Sequence, residues 1–398
     1  MSDAIGVWFI GARGSVASTA VVGALAVRAG LSEPTGCVTE LPEFAGADLP
    51  GMDRLVFGGH DVVDVPLVKR AELLAAAGVI PPHLPNALAG ELAGVDAELR
   101  PGVRAGDGDQ RGQVRRLAAD LADFRARNGL STVVVIDTSS TEPPATFDGD
   151  LAALEAALDA GEEPLPPSSR YAYAAFRAGC PLAAFTPSPG PRLPALVELA
   201  ERAGVPWAGS DGKTGETLLK TVLAPMFASR ALKVLSWSGV NLLGGGDGAT
   251  LGDAANVTSK IDTKSRGLER MLGHPVISPL HIDNVPDLGE WKTAWDHVHF
   301  AGFLGTRMTL QFTWAGCDSA LAAPLVLDLA RLLARGHAAG LSGPIGELGF
   351  FFKDPAGSDE HRLAAQFDAL LAWATSLGQG AAGAAGARVA GSTEEPTA

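Results

Sequence analysis

Apolar and polar positions along the first half of the chain predict strands and helices in alternation. An apolar run at 4–10 is followed by a glycine-containing turn and an Ala/Val-rich helical segment at 15–28. Residues 132–136, TVVVI, form a continuous β-branched run, which is typical of a strand buried on both faces of a parallel sheet. Another helical segment follows at 193–203. This βαβ alternation predicts an α/β fold with a mostly parallel sheet.

The pattern changes after about residue 214. The runs LKVLSWSGV, HPVISPLHI and MTLQFTWA alternate or are extended, which indicates strands of a second, α+β unit. The segment ALAAPLVLDLARLLARG then predicts an apolar helix like those of the first half of the chain. We therefore predict one domain formed by residues 1–213 and 323–378, interrupted by a smaller domain at 214–322. The Gly/Ala-rich segment 379–398 contains no aromatic residue and predicts a disordered tail.

Composition narrows the class of protein. Lys and Arg number 31 against 45 Asp and Glu, a net charge of −14 that disfavours binding to nucleic acids or to anionic lipid surfaces. The three cysteines, Cys37, Cys180 and Cys317, are too far apart to indicate a zinc site or a disulfide scaffold. We find no signal-peptide pattern and no apolar stretch long enough for a membrane span, so we expect a cytoplasmic protein.

The turn at 11–17, Gly-Ala-Arg-Gly-Ser-Val-Ala, lies between the first predicted strand and helix. Its small residues would let main-chain N–H groups approach a pyrophosphate at the helix start. The spacing departs from GxGxxG, because Ala12 and Arg13 separate the first two glycines. From this motif alone, a dinucleotide site and a tight turn without a ligand are equally supported. Residues 139–141, Ser-Ser-Thr, follow the TVVVI strand at the sheet edge where such folds bind ligands.

Two later glycine-rich segments each allow a functional and a purely structural interpretation. Residues 209–215, GSDGKTG, are not a GxxxxGK[ST] phosphate loop, since Trp207 stands where the leading glycine would be. An acid in such a turn is also a common helix cap. Residues 241–248, NLLGGGDG, indicate either close approach of another group to the backbone or a flexible surface loop.

Lysine is sparse in this chain, so four of its lysines are candidates for chemistry. Lys260 and Lys264 are four residues apart and would share a helix face, where like charges are either solvated or gathered around an anion. Lys292 lies in the segment WKTAWD, and Lys353 follows aromatic residues that we expect to be buried, which can lower a lysine pKa. Asp318 begins a long apolar helix, where capping is the simpler interpretation.

Taken together, these segments resemble the myo-inositol-1-phosphate synthase family, particularly its shorter archaeal-type branch. The match covers most of residues 5–360, in the family's order. It is carried by WFIGARGSVAST, FGGHD, SSTEPP, GSDGKTGETLLKTVLAPMF, VNLLGGGDG, TSKIDTK, EWKTAWDHVHFAGFLG, CDSALAAPLVLDLARLL and FFFKDPAG. The resemblance implies a Rossmann-like NAD-binding domain interrupted by an α+β domain for catalysis and tetramer assembly, hence a homotetramer.

The resemblance also implies an NAD-dependent isomerase (an intramolecular lyase) of inositol biosynthesis. Such an enzyme would convert D-glucose 6-phosphate to 1L-myo-inositol 1-phosphate by oxidation, enolisation, intramolecular aldol closure and reduction. Family members differ in using a divalent or a monovalent cation near the phosphates, and the sequence is compatible with either. An ordinary NAD-dependent dehydrogenase and a non-catalytic NAD-binding regulator are alternatives, but the spaced lysines and aspartates favour catalysis.

The residues that the resemblance implies for the site follow from its motifs. The expected catalytic residues are Lys260, Lys264, Lys292, Lys353, Asp211, Asp247 and Asp318. The expected cofactor-binding residues are Gly11, Gly14, Ser15, Val16, Asp61, Ser139, Ser140, Thr141, Thr186, Asp211, Thr214, Gly246 and Asp247. We assign Lys260 and Lys292 to the oxidation and enolisation end of the pocket, and Lys264 and Lys353 to the aldol end.

Several positions depart from the family pattern next to these residues. They are Ala184, Val240, Gly245, Gly246, Glu290 and Trp291. The same lysines and aspartates would serve an offshoot of the family that closes a five-membered ring from fructose 6-phosphate in carbocyclic nucleoside biosynthesis. Fructose 6-phosphate is therefore kept as the alternative substrate.

Overall fold

The computed structural model describes residues 4–244 and 267–390, with side chains up to residue 379. These residues form two β-sheets and the helices that pack on them. The helices are α1 Ser15–Arg28, α2 Leu67–Ala76, α3 Leu84–Ala87, α4 Ala89–Asp96, α5 Gln110–Arg127, α6 Leu151–Asp159, α7 Pro167–Arg177, α8 Pro194–Ala203, α9 Gly215–Ser229, α10 Asp318–Ala338 and α11 Leu363–Ala390.

The first sheet has seven strands, all paired in parallel. They are β1 Ile5–Ile10, β2 Leu55–Asp61, β3 Leu99–Pro101, β4 Thr132–Asp137, β5 Leu182–Ala184, β6 Pro206–Gly209 and, after the second sheet in the chain, β11 Gly343–Pro344. Their order is β11-β6-β5-β4-β1-β2-β3, so the direction of winding reverses between β1 and β4. The order β3-β2-β1-β4-β5-β6 within it is that of a Rossmann fold.

The central strands are buried on both faces because helices cover the sheet from both sides. Alternate residues of β1 enter different cores: Val7 and Phe9 pack with α1 and α10, whereas Trp8 and Ile10 pack with α5 and α7. All six residues of β4 are likewise buried. The continuous apolar runs of the sequence therefore reflect two-sided burial, which period-2 alternation would not allow.

The second sheet has four strands in the order β10-β9-β7-β8. They are β7 Lys233–Leu243, β8 Leu280–Asn284, β9 Trp291–Ala301 and β10 Arg307–Cys317. The β9 strand pairs antiparallel with both β7 and β10, and β8 pairs in parallel with β7. Helix α9 covers one face through a small core that includes Phe227, Trp237 and Val298.

The predicted fold class, a Rossmann-like α/β domain with a second α+β sheet domain, is confirmed. Helix α11 continues through Ala390 and so enters the segment 379–398, for which the sequence predicts a disordered tail. This part of the segment is rich in alanine, the residue with the highest helix propensity, and the helix propagates into it from the packed turns before residue 378. Among the described helices, none is both long and apolar enough to span a membrane.

Candidate active site

A cavity of about 730 Å³ opens at the carboxyl edge of the seven-stranded sheet, next to the reversal point between β1 and β4. Such reversal points are where open α/β sheets bind ligands. The cavity reaches from the start of α1 to the second sheet, so both sheets line it. Its charged and hydrogen-bonding lining includes Ser15, Arg70, Thr138, Ser139, Ser140, Thr141, Thr186, Asp211, Lys213, Thr214, Lys220, Asn241, Glu290, Lys292, Asp318, Lys353 and His361.

The first end of the cavity is the turn between β1 and α1. Gly11 has φ +75°, and a Cβ there would lie 3.2 Å from the Cα of Ser139, so this turn packs tightly on the segment after β4. Gly14 caps α1 without a side-chain hydrogen bond. The first-turn N–H groups of α1 therefore have no capping side chain, and Gly14, Ser15 and Val16 line the cavity. This is the arrangement that binds a phosphate anion at a helix start.

Two segments that are distant in sequence pair along the middle of the cavity. The N–H of Ser210 donates to the carbonyl of Asp354 (2.7 Å), and the N–H of Lys353 donates to the carbonyl of Asp211 (2.7 Å). The N–H of Lys213 donates to the carbonyl of Phe351 (2.8 Å). This pairing holds the GSDGKTG turn against the FFFKDP segment, so that Asp211 and Lys353 both face the cavity.

The side chains of that pairing form the first Lys–Asp pair. Lys353 Nζ lies 2.8 Å from Asp211 Oδ1, and both side chains are about four-fifths buried. Phe351 and Phe352, just before Lys353, are buried as the sequence predicted. The lysine is therefore anchored by its neighbours while its ammonium faces the cavity.

Asp318, the first residue of α10, is the centre of a second pair. Its Oδ2 lies 3.2 Å from Lys292 Nζ, and its Oδ1 accepts a hydrogen bond of 3.0 Å from the Thr214 hydroxyl. Burial alone would raise the pKa of Asp318, but the charges of Lys292 and Lys353 and the Thr214 hydrogen bond hold that pKa below its usual range. The carboxylate is therefore ionised at neutral pH, with two ammonium groups close to it.

Lys213 lies behind the first pair, with its side chain inside the first domain. It is 4% exposed, and its Nζ donates to Gln366 Oε1 and lies 5.7 Å from the centre of the Phe350 ring. Burial lowers the pKa of Lys213 to about 7. Lys213, which the sequence analysis did not select, is therefore a lysine whose pKa falls into the physiological range.

A buried polar cluster forms the end of the cavity under the second sheet. Lys220 Nζ forms an ion pair with Glu216 one helical turn earlier and lies 4.0 Å from Asp296 Oδ1. Asn241 donates to Glu216 Oε2 (2.8 Å), and Trp237 donates to Asp296 Oδ1 (2.7 Å). These contacts fix the start of α9 to β7 and β9, and they give this end of the cavity polar walls.

The predicted site residues divide into three groups. Lining the cavity are Gly14, Ser15, Val16, Ser139, Ser140, Thr141, Thr186, Asp211, Thr214, Lys292, Asp318 and Lys353. Outside the described residues lie Gly246, Asp247, Lys260 and Lys264. Gly11 and Asp61 are not in the cavity wall, because Gly11 packs under the turn and the Asp61 carboxylate accepts the N–H groups of Arg13 (2.6 Å) and Val63 (2.8 Å).

Sequence reasoning gave no role to Arg70, Lys213, Lys220 and Asn241, which line the cavity. Arg70 lies outside the motifs, because an ordinary helix position gives no local signal that a side chain faces a cavity. Lys220 and Asn241 lie inside GSDGKTGETLLKTVLAPMF and NLLGGGDG, but these motifs do not indicate which way the two side chains point. Lys213 stood inside the GSDGKTG motif, where a lysine followed by a helix was a usable signal. Within the described residues, no cluster of three or more His, Cys, Asp or Glu side chains could hold a metal ion.

Comparison with known proteins agrees with this geometry. Residues 5–374 match an NAD-binding family model described as myo-inositol-1-phosphate synthase. Inositol-3-phosphate synthase 1 of Bacteroides thetaiotaomicron is 32% identical over 392 aligned residues, covering 90% of this chain and 91% of that protein.

Solved structures share the fold at lower identity. Inositol-3-phosphate synthase from Caenorhabditis elegans superposes with a TM-score of 0.84 at 23% identity, covering 94% of this chain and 86% of that one. A myo-inositol-1-phosphate synthase-related protein from Thermotoga maritima gives a TM-score of 0.76 at 23% identity, covering 93% and 98%.

Proposed function

The chain belongs to the myo-inositol-1-phosphate synthase family, and from this premise we propose that it cyclises D-glucose 6-phosphate to 1L-myo-inositol 1-phosphate with bound NAD. Membership makes it an enzyme, an isomerase of the intramolecular lyase type. The observation that carries the specific proposal is the pair of Lys–Asp contacts, Lys292 with Asp318 and Lys353 with Asp211, in one cavity with the start of α1.

The described residues fit NAD at the sheet edge. The uncapped start of α1 at Gly14, Ser15 and Val16 suits a pyrophosphate, and the segment 138–141 after β4 provides hydroxyl groups on the other side of the reversal point. Bound there, NAD would supply a reversible hydride acceptor for the oxidation at C5 and for the later reduction, so the reaction would have no net redox change. In this proposal the chain's own contribution is to hold and orient the two molecules together.

The lysines serve the steps in which oxygen atoms carry negative charge. Loss of a C6 proton from the C5 ketone leaves an enolate, and attack of C6 on the C1 aldehyde leaves an alkoxide that takes up a proton. Ammonium groups fixed by carboxylates stabilise such oxyanions without having to reorganise. We assign Lys292 to the enolate end and Lys353 to the alkoxide end, with Asp318 and Asp211 orienting them. Lys260 and Lys264 are proposed to complete this set.

We also propose that the chain assembles into a homotetramer through its second domain. The hairpin between β9 and β10 exposes Phe303 and Leu304 almost fully, and Trp295 is 46% exposed on β9. Exposed apolar groups of this size are a common mark of protein interfaces. Light scattering at micromolar concentration tests this, since a monodisperse monomer would contradict it.

The test of function is incubation with glucose 6-phosphate and a catalytic amount of NAD, followed by ³¹P NMR of the phosphate esters. We expect inositol 1-phosphate to form with many turnovers per NAD. Stoichiometric NADH would instead indicate an ordinary dehydrogenase, and no turnover of any sugar phosphate would indicate a regulator. A parallel incubation with EDTA measures whether a divalent cation is needed.

Fructose 6-phosphate is the second substrate for this assay, because closure onto its C2 ketone by the same chemistry gives a five-membered ring. Trp291 lines the cavity directly beside Lys292, where a bulky side chain can change which carbonyl position fits. A kcat/KM for fructose 6-phosphate about tenfold above that for glucose 6-phosphate, roughly 1.4 kcal/mol in transition-state binding, would replace the glucose proposal.

A further inference from the structure

Arg70 reaches the start of α1 from a different element of the fold. It lies in α2, and its Nε donates to the carbonyl of Arg13 in the β1–α1 turn at 2.8 Å. Its Nη2 lies 3.4 Å from the hydroxyl of Ser15, the first residue of α1. Arg70 lines the cavity together with Gly14 and Ser15. The guanidinium is therefore fixed at the point where the helix start meets the cavity.

The charge of Arg70 has no carboxylate within 4.0 Å among the residues that the structure describes. Its neighbour Arg13 differs in this respect, since its Nη2 lies 2.9 Å from Asp96 Oδ1. The Ser15 hydroxyl donates a hydrogen bond of 2.9 Å to Oε1 of Glu290, which belongs to the second domain. Arg70 is held by a carbonyl, forms no ion pair within 4.0 Å among the described residues and stands beside a helix start without a capping side chain, and such an arginine is suited to binding a phosphate oxygen.

We propose that Arg70 is a further cofactor-binding residue, which neutralises the pyrophosphate of NAD at the start of α1. This inference rests on the proposed use of NAD. The contact of Nη2 with Ser15 favours the pyrophosphate over the adenosine ribose, because Ser15 begins the helix whose N–H groups face a pyrophosphate in this fold.

The test measures cofactor binding without sugar phosphate. NADH is titrated against the wild type, Arg70→Gln and Arg70→Lys by fluorescence, with Arg115→Gln as the control. Arg115 is exposed on α5 outside the cavity, so this substitution makes the same charge change elsewhere. We expect Arg70→Gln to weaken NADH binding about tenfold, as for loss of one charge-assisted hydrogen bond. Arg70→Lys should keep most of the wild-type affinity for NADH, and Arg115→Gln should bind NADH like the wild type.

Two ligands that compete with NADH distinguish a direct contact of Arg70 with the pyrophosphate from a role of Arg70 in supporting the β1–α1 turn. ADP-ribose contains the pyrophosphate and adenosine does not, so Arg70→Gln should weaken ADP-ribose about tenfold and leave adenosine unchanged. Equal weakening of both ligands, or of neither, would overturn the inference. A loss confined to NADPH would instead indicate contact with a ribose 2′-phosphate and would also overturn it.

The failure of the proposed function has a different signature. A wild type that binds neither NADH nor ADP-ribose would overturn both the use of NAD and the role of Arg70. A wild type that binds NADH as tightly as Arg70→Gln does would overturn only the role of Arg70. Thermal unfolding of each variant checks the fold. Should Arg70→Gln not fold, Arg70→Ala takes its place in the same titrations. Binding of NADH and ADP-ribose weakened about tenfold would support the proposal, and wild-type affinity for both ligands would overturn it.

Discussion

Lys292 Nζ lies 3.2 Å from Asp318 Oδ2, and the pairing of two strands produces this contact. Lys292 is opposite Gly316 in the β9–β10 ladder, and Trp291 is opposite Cys317. Asp318 is the next residue and begins α10, which packs against α1 in the first domain. The ion pair therefore sits where the chain returns from the second sheet to the first, so the geometry of the site depends on the junction of the two domains.

Lys353→Ala should lower kcat by about a hundredfold or more and leave the fold and NADH binding intact. The substitution removes an ammonium group that is proposed to stabilise an oxyanion, and loss of one such donor typically costs about a hundredfold or more in kcat. Steady-state kinetics and an NADH titration measure the two effects. The control is Lys233→Ala, at an exposed position at the start of β7. Near-normal turnover by Lys353→Ala would contradict the assignment.

Lys292→Met and Asp318→Asn should not have independent effects on kcat/KM. Each single substitution breaks the same pair, so the double variant should be about as slow as the slower single variant. A double-mutant cycle on the glucose 6-phosphate reaction measures the coupling. If the two losses simply multiply, Asp318 does not act through Lys292 in the reaction.

Lys213 should make the stability of the protein rise with pH between about 7 and 10.5. Burial lowers the pKa of Lys213 from 10.5 to about 7, so in this window the unfolded chain binds a proton that the folded protein does not. Below pH 7 the full cost of charging the buried lysine opposes folding, and above 10.5 that cost is absent. The contribution of Lys213 to the free energy of unfolding changes by roughly 1.4 kcal/mol per pH unit at most.

Denaturant unfolding at several pH values measures this contribution. Lys213→Met should flatten the pH dependence, because a side chain of similar shape without a charge has no proton to lose. Lys233→Met, which removes an exposed lysine, should keep the wild-type slope. An unchanged slope in Lys213→Met would mean that this ammonium is not desolvated in the folded protein.

Gly212→Ala should destabilise the turn that carries Asp211 and Lys213. A Cβ at this position would lie 2.1 Å from Cε1 of Phe185, so either the ring or the turn must move. Such overpacking typically costs about 1–3 kcal/mol. Gly23→Ala, in α1 with no atom within 4 Å of its added Cβ, should instead be neutral or stabilising by about 0.5–1 kcal/mol. Equal unfolding midpoints for the two variants would contradict the predicted clash.

The local sequence pattern was enough to predict the strands and turns that depend on the residues within them. The β-branched run at 132–136 predicted β4, because a strand buried on both faces needs apolar residues at every position. The small residues at 11–17 predicted the turn before α1, and Gly11 shows the reason, because it has φ +75° and an added Cβ there would lie 3.2 Å from the Cα of Ser139. The resemblance of the motifs predicted the family, and among the residues it pointed to, Lys292, Lys353, Asp211 and Asp318 line one cavity.

Tertiary structure alone decided which charged groups meet and how their proton affinities change. Asp211 and Lys353 are 142 residues apart, and only the pairing of their two segments brings their side chains to 2.8 Å. Arg70 resembles an ordinary helix residue in sequence, yet it faces the cavity. The GSDGKTG motif draws attention to Lys213, but only the structure shows that this lysine is desolvated beside Gln366. Burial and ion pairing depend on neighbours from distant parts of the chain, which is why hydrophobic periodicity could predict the sheets but could not predict these contacts.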